Sequence, residues 1–245
     1  MDNGPSATTD HPSGNSRDRA YGSFTRHLLS KDLRAGQFVS QRELVELTGL
    51  TLAAVRELIP RLEAEGLVRT VPKRGMQIVH VDLNMVRDAF QFRAFLEVGA
   101  IRIFTQIATS ETVSQLRASH EDIISRCEAA LKAGQISEDL VAQAQAVDWS
   151  LHQTIIASLA NRIVEDAYRS NAIKIRLIKQ EQTRLNSNLV IPTMQEHLRV
   201  IEAIASQEPE VAAAAIEDHI EKARVRALEQ RGTGRVNSSR EAYCP

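Results

Sequence analysis

The chain of 245 residues holds only two cysteines, Cys127 and Cys244, far apart in sequence. They cannot form a disulfide framework, and the pattern suits a reducing compartment. Aromatic residues are scarce, with six Phe, three Tyr and one Trp. Ala, Leu, Ile, Glu and Arg are abundant instead, a mixture that favours an all-helical protein. The formal net charge is −1, so bulk electrostatics single out no polyanionic partner and charge must be read locally. No apolar run approaches the roughly 18 residues needed to cross a bilayer, and no membrane partner is expected. The first residues lack the basic-then-apolar order of a secretion signal. A cytoplasmic protein is expected.

Residues 1 to 20 are rich in Ser, Thr, Asn, Asp, Gly and Pro. They carry too little apolar surface to offset ordering entropy and read as a disordered tail. Between residues 21 and 81 the pattern becomes compact. Phe24, Leu28 and Leu29 mark a first helix that stops before Ala35-Gly36. Ser40 reads as an N-cap, with Glu43 three residues on completing a capping box. The second helix closes at Thr48-Gly49. Thr51 can cap a third, in which Val55, Leu58, Ile59 and Leu62 fall at i, i+3, i+4 and i+7. Gly66 ends it. Two β runs, Leu67 to Val71 and Met76 to His80, flank Pro72-Lys73-Arg74-Gly75. The order is helix, helix, turn, helix, then a two-stranded wing.

In a helix-turn-helix, the second helix presents its N-terminal residues to base edges while other groups hold phosphates. Thr51, Leu52, Ala53 and Arg56 lie off the apolar stripe or at its entry. Arg42 sits one element earlier, and Lys73, Arg74 and Gly75 form the hairpin tip. Residues 21 to 82 hold nine Lys/Arg against seven Asp/Glu, a mildly basic balance.

The stretch LRAGQFVSQRELVELTGLTLAAVRELIPRLEAEGLVRTVPKRGMQIV resembles the winged-helix domain of GntR-family transcriptional regulators. The shared features are Val-Arg-Glu in the recognition helix, Leu-Glu-x-Glu-Gly-Leu at its end and Arg-Gly in the wing. The resemblance implies that Arg42 and Arg56 contact double-stranded DNA and that Lys73-Arg74-Gly75 lies along the minor groove or backbone. Two departures stand out. The family's Ser/Thr-Arg-x-Pro is Thr51-Leu52-Ala53-Ala54 here, so apolar contacts to thymine methyls replace a guanine-reading arginine. Pro60 falls inside the recognition helix, removes the hydrogen bond to the Arg56 carbonyl and is expected to bend it.

From residue 82 to 231 the sequence reads as six amphipathic helices, near 83–108, 111–132, 138–159, 161–184, 193–206 and 210–230. Breaks fall at Thr109-Ser110, Ala133-Gly134, Asn161, Asn186-Ser187-Asn188 with Pro192, and Pro209. This predicts an antiparallel bundle with its own core; residues 232–245 read as a frayed tail. The expected fold class is mainly α, a winged helix-turn-helix followed by a helical bundle.

Several polar residues fall where the bundle should be apolar. Asp148 and His152, four apart, share a face with Ala144, Leu151, Ile155 and Leu159. His197 sits with Met194, Leu198 and Ile201, and His219 with Ala215, Ile216 and Ala223. Buried ionisable groups are costly unless something pairs with them. Three imidazoles and one carboxylate pointing into one bundle suit a divalent transition metal, Zn, Ni, Mn or Fe, better than Ca or Mg. Arg93 and Glu97 also fall on an inward stripe. They form an internal pair, or Arg93 faces the cavity and binds an anion bidentately. Arg102 is a second candidate.

Residues 83–230 also resemble the FCD ligand-binding domain of FadR-type GntR regulators. The residues that carry this are Arg93-x-x-x-Glu97, Asp148-x-x-x-His152 with Asn161, the Glu196–Ile204 segment with His197, and His219. The resemblance implies the metal-containing branch, in which Asp148, His152, His197 and His219 hold the ion, zinc foremost, and a small organic acid completes its coordination. A homodimer on a pseudo-palindromic operator is expected, with repression relieved by the effector, or activation as the alternative sign. Two alternatives keep the same residues: a purely structural metal, or a metal-dependent hydrolase, for which no general base or nucleophile is in evidence.

Overall fold

A computed structural model describes residues 13–30, 32–182 and 188–234. These fall into two compact units that divide between His80 and Val81.

The first unit contains α1 (Ser13–Leu29), β1 (Phe38–Val39), α2 (Gln41–Thr48), α3 (Leu52–Ala64), β2 (Val68–Val71) and β3 (Gly75–Ile78). Its core takes Phe24 and Leu28 from α1, Leu44 from α2, Val55, Leu58 and Leu62 from α3, and Leu67 and Ile78 from the wing. Local chemistry sets the helix ends. Ser40 Oγ accepts from Glu43 N at 3.2 Å, and Glu43 Oε2 accepts from Ser40 N at 2.6 Å, which closes the capping box. Gly49 follows in the left-handed region at φ 68°. Thr51 Oγ1 accepts from Ala54 N at 3.2 Å and starts α3. Pro60 does not interrupt that helix, which runs unbroken to Ala64.

Two expectations are corrected. Helix α1 begins at Ser13, inside the segment read as a disordered tail; residues 1–12 lie outside the described residues. Ala20, Tyr21, Phe24 and Leu28 anchor one face of this helix. The turn ahead of them propagates at little cost and is tied to α3 by an ion pair of Asp18 with Arg61 at 3.2 Å. The wing also has three strands, in the order β1-β3-β2, all antiparallel. Strand β1 is two residues long, too short to show alternation in sequence, and exists because β3 offers it an edge: Phe38 pairs with Gln77 and Val39 with Met76.

The second unit is a helical bundle of α4 (Leu83–Ile107), α5 (Ser110–Lys132), α6 (Glu138–Ala157), α7 (Arg162–Gln182), α8 (Val190–Ala205) and α9 (Pro209–Gly234). Helix α4 packs against α6, α7, α8 and α9, and α5 packs against α6 and α8. Ile123 and Cys127, Leu140 and Ala144, and Val190 and Met194 join α5, α6 and α8 in one apolar cluster. Helix α8 begins at Val190, ahead of Pro192, which the sequence reading placed in a break. Proline is tolerated there because the first turn has no intrahelical acceptor for its missing N–H. The Asn186-Ser187 break and the tail from 235 lie outside the described residues.

Candidate functional site

In the first unit the DNA-directed candidates are all exposed. Leu52 and Ala53 open α3, Thr51 caps it, and Arg42 stands on α2. Arg56 Nε donates to Gln41 Oε1 at 3.1 Å and so bridges α3 to the start of α2. At the hairpin tip Lys73 adopts φ 64°, and the Arg74 guanidinium lies 4.0 Å from the Phe38 ring centre. Gly75 has a backbone reason to be glycine. At φ +86° a Cβ there would meet the Val39 carbonyl oxygen at 2.9 Å.

In the second unit Asp148 and His152 (α6), His197 (α8) and His219 (α9) come together in the bundle interior, each essentially fully buried. One ligand atom from each of the three histidines can be chosen so that all lie within 4.8 Å of one another. His197 Nε2 and His219 Nε2 stand 3.2 Å apart. Asp148 Oδ1 is 3.6 Å from His197 Nε2, too far for a hydrogen bond, and this buried oxygen has no partner.

The outer nitrogens fix the tautomers. The Leu116 carbonyl can only accept, so His120 donates to it from Nδ1 at 2.7 Å. His120 Nε2 is then an acceptor and takes the Nδ1 proton of His197 at 3.1 Å. His219 Nδ1 donates to Glu196 Oε2 at 2.9 Å, and His152 Nδ1 donates to Glu97 Oε2 at 2.7 Å. All three ligand candidates therefore have an unprotonated Nε2, and that of His152 accepts from Arg93 Nη2. The lone pairs of His197 and His219 face each other and repel unless a cation stands between them. Two nitrogens at about 2.0–2.1 Å from one tetrahedral zinc ion would lie about 3.3 Å apart, close to the spacing seen. With the orphaned Asp148 oxygen, this donor set fits a divalent transition metal.

Electrostatics keep the set in ligating form. Burial pushes His152 down to about 4, reinforced by the Arg93 charge, and burial also lowers His197 and His219. Burial alone would raise the Asp148 carboxyl. Lys179, which donates to Asp148 Oδ2 at 2.8 Å, and the neighbouring charges hold it at about 2. Neutral imidazoles and an ionised carboxylate are the forms that bind metal.

Sequence comparison identifies the frame around this site. The FCD domain profile matches residues 88–222, more than half of the chain, and the profile of bacterial regulatory proteins of the gntR family matches residues 16–78. The chain belongs to the GntR family, with an FCD domain. The Nta operon transcriptional regulator of Aminobacter aminovorans is 24% identical over 196 residues, 79% of this chain and 86% of the relative. Escherichia coli McbR/YncC has the same fold at TM-score 0.72 and 14% identity, over 88% of this chain and 98% of that one. The metal-free FCD domain of TM0439 superposes on 62% of this chain and 98% of its own at TM-score 0.51 and 19% identity.

A GntR/FCD protein is a transcriptional regulator, with a DNA-binding winged helix and an effector-binding helical domain, and not an enzyme. The hydrolase alternative is thereby set aside. No helix among the described residues is long and apolar enough to cross a membrane.

Within this FCD domain Arg93 is almost wholly buried. It donates from Nε to Glu97 Oε1 at 2.7 Å and from Nη2 to His152 Nε2 at 2.6 Å, while Nη1 has no partner. Arg102 is a correction. It stands at the surface, bidentate to Glu210 at 2.8 Å through Nε and Nη2, because it lies off the inward stripe of Arg93, Glu97, Ala100 and Phe104. Sequence reasoning missed His120, Tyr168, Lys179 and Arg226. His120 shares one helix face with Leu116, Ile123 and Cys127, at i−4, i+3 and i+7 from it, a signal as plain as that of His197. Tyr168 donates to Glu97 Oε1 at 2.8 Å, and Arg226 holds Glu196 through Nη1 and Nη2 at 2.7 and 3.0 Å.

Proposed function

We propose that this regulator is a cytoplasmic repressor that binds a pseudo-palindromic operator as a homodimer. In this reading residues 21–81 grip DNA, and residues 82–231 hold a divalent metal and a small organic acid that releases the operator. The observation that carries it is the convergence of three buried histidines, each offering a ring nitrogen within 4.8 Å of the others, with the orphaned Asp148 Oδ1 beside His197. Asp148, His152, His197 and His219 hold the ion, zinc foremost, with nickel, manganese and iron as the other options.

The bound ion supplies a Lewis-acid position for one carboxylate oxygen of the effector. His152 Nε2 has a single lone pair, which Arg93 Nη2 and a metal cannot both use. Arg93 is the group that yields. It then presents Nη1 and Nη2 as a fork to the same carboxylate, while Glu97 keeps its Nε in place. The effector acts as a switch only by binding the DNA-free form more tightly than the DNA-bound one.

On DNA, the reading gives base contacts to Leu52, Ala53 and Arg56 and backbone contacts to Arg42, Thr51, Lys73, Arg74 and Gly75. Dimerisation is supported by an exposed apolar stripe on α4, Phe92, Phe95, Ile103 and Ile107, in which Phe95 is 72% exposed. A patch of this kind marks an interface.

The test is metal analysis of the purified protein beside the double variant His197→Ala/His219→Ala, with operator binding followed by gel shift. The wild type should carry one transition metal ion per chain and lose DNA when the effector is added. The double variant should carry none and hold DNA regardless. A double variant that keeps stoichiometric metal overturns the ligand assignment.

A further inference from the structure

Around the candidate metal centre each buried carboxylate has its own cation. Glu97 is held by Arg93 at 2.7 Å, Asp148 by Lys179 at 2.8 Å and Glu196 by Arg226 at 2.7 Å. These pairs cancel. Arg176, on α7, is left over: among the described residues it pairs with no carboxylate, and its Nε is buried without a hydrogen-bond partner.

Arg176 is not a stray surface charge. Its guanidinium carbon lies 4.7 Å from the Trp149 ring centre, Lys179 Nζ lies 4.8 Å from the same centre, and the Arg93 guanidinium carbon 6.0 Å. Three cations thus gather on one indole, the chain's single tryptophan. Two of the three also touch the metal candidates, Arg93 through His152 and Lys179 through Asp148. Stacking on the ring steadies each charge but neutralises none. Arg93 and Lys179 are each offset by a carboxylate, so Arg176 is the uncompensated charge, and a partly desolvated charge beside two others costs free energy until an anion joins it. The unused donors are Arg93 Nη1, in a side chain 1% exposed, and Arg176 Nε.

We propose that Arg176, with Lys179 and Trp149, forms a second anion subsite beside the metal centre, and that the effector is a small di- or tricarboxylate. The proposal rests on the metal-and-effector reading above for its first subsite. One carboxylate of the effector meets the metal position and Arg93. A second meets Arg176, which a planar fork can hold bidentately. A monocarboxylate satisfies the first group of donors and leaves Arg176 uncompensated.

Trp149 makes the test direct, because its fluorescence reports on the subsite. Zinc-loaded full-length protein is titrated with acetate, succinate and citrate at matched ionic strength, by tryptophan fluorescence and by calorimetry. Succinate or citrate should bind on the order of tenfold or more tighter than acetate, as expected for an added charge-assisted fork. Arg176→Gln should remove that margin, and Arg176→Lys should retain part of it. Equal affinities in the wild type, or a margin that survives Arg176→Gln, overturn the second subsite and leave the metal reading standing. An Arg176-dependent margin that persists after zinc is stripped supports the subsite and overturns the metal's part in effector binding. Failure of all three acids to bind overturns both.

Discussion

His120 Nε2 lies 3.1 Å from His197 Nδ1, with the two rings edge to face at a centroid distance of 5.2 Å. Because His120 is itself anchored on the Leu116 carbonyl, this contact decides which nitrogen of His197 is bare. Partners of this kind outside the coordination sphere are worth about 10–100-fold in metal affinity. His120→Ala should therefore weaken zinc binding by about that factor, read by competition with a chromogenic chelator. His120→Gln, whose side-chain carbonyl can still accept from Nδ1, should recover part of it. Unchanged affinity in His120→Ala would show that His197 does not depend on this anchor.

The residues proposed to contact DNA separate by salt dependence. Lys73 at the hairpin tip makes a phosphate contact in the proposed mode. Lys73→Ala should weaken operator and unrelated DNA alike and flatten the plot of log affinity against log salt by about one unit. Arg56→Ala should weaken the operator by about 1–3 kcal/mol while leaving unrelated duplex little changed. If both variants lower specific and non-specific binding equally, α3 does not read bases through Arg56.

Gly75 carries a backbone requirement. Its φ of +86° is one that L side chains rarely adopt, and a Cβ would approach the Val39 carbonyl oxygen to 2.9 Å. Gly75→Ala should destabilise the winged unit by about 1–3 kcal/mol, seen as an earlier first transition in urea unfolding of the full chain. The helical unit should unfold as before. A wild-type profile in Gly75→Ala would mean that the wing relaxes freely around β1.

The sequence makes legible what is encoded within a few residues. The capping box of Ser40 and Glu43, the Thr51 cap and the inward pairing of Asp148 with His152 all depend on spacings of three or four. Helix limits that depend on a partner are harder to read. Ser13–Arg19 reads as polar tail because what ties it down, Arg61, lies more than forty residues later. Strand β1 needs β3 beside it. Arg102 could have been excluded by the same periodicity that placed Arg93 and Glu97 inward. His120 was legible as an inward histidine, but its role follows only once α5 is seen to pack against α8. Lys179 and Arg176 convey nothing until α7 is seen to carry them to Trp149.

Glu97 joins three side chains inside the bundle. It accepts from Arg93 Nε at 2.7 Å, His152 Nδ1 at 2.7 Å and Tyr168 at 2.8 Å, and is wholly buried. Burial alone would raise its carboxyl, yet the Arg93 charge holds it well below the usual carboxylate range. Glu97→Gln keeps the shape but leaves the Arg93 charge uncompensated, and its amide turns an NH2 toward groups that also donate. Breaking a buried pair from one side costs about 3–5 kcal/mol. Tyr168→Phe removes one bond to the same charged acceptor and should cost about 1.5–3 kcal/mol. Both losses are measured by denaturant unfolding of metal-free protein, so that ion binding does not mask them. The double variant tests the network. With Gln at position 97 the Tyr168 hydroxyl no longer faces a charge, so its removal should cost less than in the wild type, and the two effects should fall short of additive. Full additivity would mean that Tyr168 owes its contribution to packing rather than to Glu97.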